Sequence, residues 1–426
     1  MKKTLAILLT LVLVVGLFAG CGKKSSSGSV YYLNFKPEAD AAWQELAATY
    51  TKQTGVKVTV VTAAAGTYDD TLTAELDKSE APTMFQAGNQ GAINSYGDWC
   101  LDLRGTDVYN EMTTDDFNLK GDDGSVLSIG YCYESFGIIV NKALLKQAGY
   151  DITDIKDFAT LKTIADDIHA RANDLGFDAF TSAGLDGSSS WRFSGHLANM
   201  PLYYQFRDDG VTKQPATITN AYLDNYKQIW DLYTTDSATT GADLTTATGD
   251  QAEAEFGQGK AVFYQNGTWE YSNLTGTFGM NKDDLAMIPI YCGVSGEEKA
   301  GLCSGTENCW AVNKKASEAD QKATLDFMKW VVTSDEGTTM LAENFGPCPF
   351  KNAKTPENVF FADANALVAA GNYTVTWAFN WTPAVDDWRA GVVDALTQYT
   401  AGTGDWSAVE TAFVDGWATL YAKDHA

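Results

Sequence analysis

The sequence predicts an α/β protein of two domains, and three observations predict it. Helical and strand patterns alternate along its length, and its opening reads strand, helix, strand. About 400 residues follow the leader described below, too many for one ordinary core and about right for two. Residues 30–35 (VYYLNF) read as a strand. A helix follows, with Trp43, Leu46, Ala47 and Tyr50 at i, i+3, i+4 and i+7 on one apolar face. Gly55 ends it, and residues 56–61 (VKVTVV) form a β-branched, alternating strand. Such an opening implies a parallel sheet covered by helices.

Farther on, residues 137–141 (GIIVN), 261–264 (AVFY) and 310–312 are short apolar runs suited to buried strands. Helices close the chain. Ser317 and Asp320 have capping-box spacing, and Leu325, Met328 and Val332 then share one face. Trp388, Val392, Leu396 and Tyr399 form a second stripe. Asp405 stands where it would cap a third helix, which carries Trp406, Val409, Phe413, Trp417 and Leu420. These stripes read as core. No internal repeat is visible, which sets aside solenoids and propellers.

The amino terminus reads as a secretory signal peptide. Lys2 and Lys3 precede an uncharged apolar run over residues 5–18, and Ala19, Gly20 and Cys21 close it. That run is shorter than the roughly 20 residues of a membrane span. Ending on cysteine, it resembles the lipobox of bacterial lipoproteins, with Phe18 in place of the usual leucine. The resemblance implies lipidation of Cys21, which becomes the mature amino terminus. Residues 22–29 (GKKSSSGS) read as a flexible linker. The expectation is a soluble body tethered to the outer face of a bacterial cell membrane by lipid on Cys21.

Net charge is −25, which repels phosphate backbones and argues against nucleic-acid binding. The acidity suits a soluble exported protein. Seven cysteines are present, so six remain beside Cys21, in a location that permits disulfides. Their pairing is not readable from sequence. The three histidines lie apart from one another and from the cysteines, so no zinc or iron site, and no cofactor, is expected.

Four segments carry a resemblance: WQELAATYTKQTGVKVTVV (residues 43–61), YESFGIIVNKALLKQAGY (133–150), FGQGKAVFYQNGTW (256–269) and GTENCWAVNK (305–314). In this order, behind a lipobox, the chain resembles the solute-binding lipoproteins of bacterial ABC importers, in their carbohydrate-binding branch. The resemblance spans nearly the whole mature chain. It implies two α/β lobes of the periplasmic-binding-protein type, with a ligand cleft at the hinge between them. The first lobe would take residues 30–133 and 304–349, and the second residues 137–301 and 350–426. It further implies a monomer that captures an oligosaccharide, closes on it and delivers it to a membrane permease without catalysis.

Sugars present apolar C–H faces to aromatic rings, and hydroxyls to donors and acceptors. Trp269, after the turn Asn266-Gly267-Thr268 that follows the buried strand ending at Tyr264, is the foremost stacking candidate. The resemblance also matches it to a family Gly-x-Trp position. Glu134, beside the first crossing, is either a hydroxyl-binding acid or half of a hinge salt bridge. Trp191, presented with Arg192 by a small-residue loop, is either a cleft wall or a surface excursion. Glu307 and Asn308 precede the return strand and would face the cleft. Asp387 and Trp388 begin a late helix where the family contributes an aromatic, although Trp388 also starts an apolar stripe. Asn89 with Gln90, and Asp40, are further candidates, Asp40 being equally a helix cap. Trp377, Asn380 and Trp381 are suggestive but unaligned.

Two rivals stand beside this reading. An exported glycoside hydrolase would need two carboxylates flanking the bond, and 55 acidic residues could supply such a pair, although no hydrolase motif is present. The same fold could instead bind a polyamine, which suits an acidic, aromatic chain. Anionic ligands would call for clustered arginines, and the five here are widely spaced.

Overall fold

The computed structural model describes residues 28–425; the leader, Cys21 and the linker up to residue 27 lie outside them. The strands in chain order are β1 Val30–Asn34, β2 Val58–Thr62, β3 Met84–Gln86, β4 Leu119–Lys120, β5 Val126–Gly130, β6 Glu134–Asn141, β7 Asp178–Phe180, β8 Ala261–Gly267, β9 Leu285–Ile288, β10 Ala300–Gly305, β11 Cys309–Val312 and β12 Tyr373–Thr376. They form two sheets, each the floor of one α/β lobe. The first has the order β2-β1-β3-β11-β5-β4, and β1 lies parallel to both β2 and β3. The second runs β12-β10-β6-β8-β7, with β9 also beside β6.

The opening folds as its pattern predicts. Helix Asp40–Thr54 buries Trp43, Leu46, Ala47 and Tyr50, and it stops at Gly55, whose φ of 76° is the left-handed conformation open to glycine. Trp43 is fully enclosed, edge-on to Tyr32 at 5.0 Å and to Trp310 at 5.9 Å. Burial of a large apolar side chain stabilises by about 1.5–3 kcal/mol. β2 begins at Val58, two residues into the apolar run.

Among the closing helices, Ser317 accepts the Asp320 N–H at 3.1 Å, as its spacing predicts. Asp405 occupies the N-cap position of helix Trp406–Asp424 but does not cap it. Its carboxylate takes the Ser407 hydroxyl instead of a backbone N–H. The six cysteines from Cys100 to Cys348 are free thiols, five of them buried. Among the described residues no helix is long and apolar enough to cross a membrane.

Two crossings join the lobes, from β5 into β6 and from β10 back into β11. They lie side by side. The Tyr131 N–H donates to the Asn308 carbonyl at 2.8 Å, and the Thr306 hydroxyl donates to the Cys132 carbonyl at 2.6 Å. A third passage follows helix Asp335–Asn344, where the Tyr133 N–H donates to the Pro347 carbonyl at 3.0 Å. The chain then enters helix Val359–Ala369, whose Phe360 packs with Leu285 and Met287 of β9. Short crossing segments that lie side by side form a hinge, because a change in a few of their dihedrals moves one lobe against the other.

Candidate functional site

At the hinge an ion pair is buried. Lys36, just past β1, places Nζ 2.6 Å from Glu134 Oε1 at the start of β6, and the two residues are 5 % and 3 % exposed. Asn308, on the return crossing, donates Nδ2 to the other Glu134 oxygen at 2.7 Å and accepts from the Tyr131 hydroxyl at 3.3 Å. Burial works against the Lys36 ammonium, yet Glu134 and then Glu38 hold its pKa above the ordinary value. Glu134 thus has Lys36 as its ion-pair partner at the hinge and Asn308 as its second partner.

Beside the hinge the second lobe presents an aromatic wall. β8 runs three residues beyond its apolar run, pairing Gly267 with Phe136 of β6. The Asn266-Gly267 turn expected there is therefore strand, and Trp269 follows in the 3₁₀ turn Thr268–Glu270. Gly267 is required by close approach, since a Cβ there would lie 2.2 Å from the Trp269 ring. Trp191 stands 6.0 Å from Trp269 with its plane tilted by 50°. Its indole Nε1 donates to the Ser188 carbonyl at 2.9 Å, which fixes the ring to its loop.

His196 joins both indoles, at 5.0 Å from Trp191 and 5.4 Å from Trp269, and stacks on Phe136 at 3.9 Å. Burial first, then the Arg389 and Arg192 charges, hold its pKa well below the ordinary histidine value. The imidazole is therefore neutral at physiological pH.

The first lobe faces this wall closely. Lys36 Nζ lies 5.2 Å from the centre of the Trp269 ring. A Cβ at Gly66 would come within 2.5 Å of the Gly187 carbonyl oxygen, at a φ of 74° that already favours glycine. On the far side of the hinge, the Ser272 hydroxyl donates to the Glu343 carbonyl at 3.1 Å. Asn89 caps helix Gln90–Tyr96 by accepting from the Ala92 N–H at 2.8 Å, and its Nδ2 donates to Glu307 Oε1 at 3.3 Å.

One cross-lobe contact pairs like charges. Asp69, in helix Tyr68–Leu76 of the first lobe, meets Asp386, in helix Val385–Thr400 of the second. Burial, then Asp386 and then Glu307, push the Asp69 pKa up to about 7, against the pull of Arg389. Tyr68 and Tyr96 also face Asp69. The shift favours the neutral form of the Asp69 carboxyl at this contact.

The remaining candidates fall elsewhere. Trp388 is 1 % exposed and belongs to the second-lobe core, with Nε1 bonded to the Phe413 carbonyl at 2.9 Å. Asp387 is exposed and pairs with Lys423 at 3.2 Å. Helix phase explains both, because burying Trp388 turns Asp386 and Arg389 toward the first lobe. Asp40 lies in the first turn of its helix and accepts the Thr62 hydroxyl at 2.5 Å. Trp377 is buried, bonded to the Cys303 carbonyl at 3.0 Å, and Trp381 stacks on Phe206. Asn380 donates to the Thr306 carbonyl at 3.0 Å, beside the return crossing. Arg192, expected on the loop with Trp191, points inward and is 2 % exposed.

Sequence reasoning missed Lys36, His196, Asp69, Asp386 and Arg389. The only signal for the last two was their i, i+3 spacing off the apolar stripe. Among the described residues no group of three or more His, Cys, Asp or Glu could hold a metal ion. The wall offers an apolar, π-rich face, and its rim offers hydrogen-bond groups of both kinds from two lobes.

Solved structures share this fold. The RafE solute-binding protein in complex with raffinose is 14% identical over 93% of this chain and 100% of its own, with TM-score 0.71. The GacH receptor of Streptomyces glaucescens, solved unliganded and with acarbose, is 18% identical over 93% of this chain and 99% of its own, with TM-score 0.68. A Bacillus licheniformis sugar transporter in complex with stachyose is 16% identical over 92% of this chain and 100% of its own, with TM-score 0.67. No curated protein matches the chain in sequence. Residues 45–367 match the family described as bacterial extracellular solute-binding protein, and with three quarters of its length matched in order the chain belongs to that family.

Proposed function

We propose that the protein captures an oligosaccharide between its lobes and delivers it to the permease of an ABC importer. The observation that carries this reading is the Trp191–His196–Trp269 wall, with polar groups of the other lobe at its edge. Trp269 and Trp191 stack on the C–H faces of the sugar, while Asn89 and Glu307 take its hydroxyls. Glu134 and Asn308 act through Lys36, which they hold against the wall. The neighbouring structures in complex with raffinose, acarbose and stachyose support the same reading. Lipid on Cys21 holds the monomer at the outer face of the membrane, and binding involves no bond breaking.

A thermal-shift panel tests this, because a ligand of the folded state raises stability by mass action. The reading expects shifts confined to one class of oligosaccharide, with the sugar recovered intact. A shift with spermidine alone would move the ligand to the polyamines, and a cleaved sugar would make the protein an enzyme.

Two outcomes follow from the geometry. Gly267→Ala pushes the Trp269 ring aside without straining an extended backbone, so sugar affinity falls about tenfold or more while unfolding changes little. Calorimetric titration of the variant checks this. The Asp69–Asp386 contact makes closure depend on pH. A raised pKa in the closed form favours that form most below the ordinary carboxylate pKa, and the advantage is lost as pH rises toward about 7. Affinity therefore weakens by up to about tenfold per pH unit from roughly pH 4 to 7 and then levels off. Asp69→Asn flattens that slope, and an unchanged slope would remove the pair from closure.

A further inference from the structure

The second lobe contains a buried guanidinium that no carboxylate touches. Arg104, Arg171 and Arg207 each pair with an aspartate, whereas Arg192 does not. Arg192 opens the π-helical turn Arg192–Leu197, and the ring of Phe193 at 5.0 Å and that of Tyr264 at 5.4 Å flank its guanidinium. Nη1 donates to the Gln265 carbonyl at 3.2 Å, while Nε and Nη2 have no partner.

Arg192 lines a small cavity, with about 10 Å³ open to the centre of a water-sized sphere, together with Thr181, Ser182, Tyr233 and Gln265. All these residues are buried. The Tyr233 hydroxyl and Gln265 Oε1 are also without partners. Four unsatisfied polar atoms on one cavity are unusual, since buried polar groups are as a rule hydrogen-bonded.

Nearby carboxyls do not answer the charge. Glu255 accepts from the Ser182 N–H at 2.6 Å and from its hydroxyl at 2.7 Å. Glu270 accepts from Asn266 at 2.8 Å, and Glu253 is bonded to Asn273. Burial pushes the pKa of both Glu253 and Glu270 up, and the Glu253 charge adds to the rise at Glu270, against the weaker pull of Arg192 on each. A water molecule would satisfy hydrogen bonds here but would leave a desolvated cation uncompensated.

We propose that this cavity binds a monovalent anion of halide size, held by Arg192 Nε–H, Arg192 Nη2–H and the Tyr233 hydroxyl. Gln265 accommodates it, because His196 Nδ1, 2.9 Å from Gln265 Nε2, can pair with either end of the amide according to its tautomer. With Oε1 turned to the imidazole N–H, the amide NH₂ becomes a fourth donor to the anion. Phe180, Ala183 and Phe193 complete the lining. Such apolar surroundings suit a weakly hydrated halide better than an oxyanion that needs donors on every side.

Thermal unfolding of the purified protein at constant ionic strength tests the site, with chloride or bromide replaced stepwise by gluconate. The expected result is a saturable rise in midpoint with halide. It shifts to at least tenfold higher halide in Tyr233→Phe, a variant that keeps the ring and its packing, and it disappears in Arg192→Met. In bromide-soaked crystals an anomalous peak should lie within hydrogen-bond distance of Arg192. Identical midpoints in halide and gluconate, a halide effect unchanged in Tyr233→Phe, or a site filled by water alone would each overturn the proposal.

Discussion

Trp269→Ala is expected to lower oligosaccharide affinity by roughly thirty- to thousand-fold, the equivalent of about 2–4 kcal/mol. An aromatic anchor at the centre of a desolvated site carries a disproportionate share of binding energy. Trp269 has that position, partly buried at the edge of the second-lobe core, 6.0 Å from Trp191 and reached by Lys36 from the other lobe. Its partial exposure means that truncation removes little core, so the unfolding transition stays near that of the wild type. Trp269→Phe keeps a smaller ring and part of the affinity. Calorimetry with the sugar that the wild type binds measures all three, and an unchanged dissociation constant removes Trp269 from the site.

Lys36→Met is the substitution with the largest expected cost to the fold. It leaves Glu134 buried, with Asn308 as its one remaining side-chain partner. Breaking a buried ion pair from one side costs about 3–5 kcal/mol, because the surviving charge stays desolvated. Glu134→Gln alone costs less, because the ammonium keeps Glu38, 3.5 Å away, as a carboxylate partner. The double variant Lys36→Met with Glu134→Gln recovers part of the loss, since neither charge then remains. Denaturant unfolding of the ligand-free protein reads this cycle. A cost below about 1 kcal/mol for Lys36→Met would mean that the pair is solvated and carries little.

Much of the fold was legible because local periodicity and tertiary burial agree. The stripe Trp43, Leu46, Ala47, Tyr50 is the face that the first sheet covers, and Gly55 ends the helix in the conformation glycine permits. The wall was half legible. Trp269 stood out after a buried strand, but Gly267 proved to be strand and to make room for the ring. Lys36 and Glu134 are far apart in sequence and meet at the crossings, so no local pattern marks them. The late helix shows the limit of composition. Asp387 and Trp388 drew attention as an acid beside an aromatic, yet the core claims Trp388, and the helix then presents Asp386 and Arg389 to the other lobe. Arg192 was read with its partly buried neighbour Trp191, although in a helical turn adjacent residues point about 100° apart.

The most direct test of inter-lobe capture is a crystal structure of the protein with the oligosaccharide that stabilises it. The prediction is a sugar ring lying flat against the Trp269 indole, with hydroxyls bonded to Asn89 or Glu307 of the opposite lobe. A sugar held by one lobe alone, or bound away from the Trp191–Trp269 wall, would contradict it.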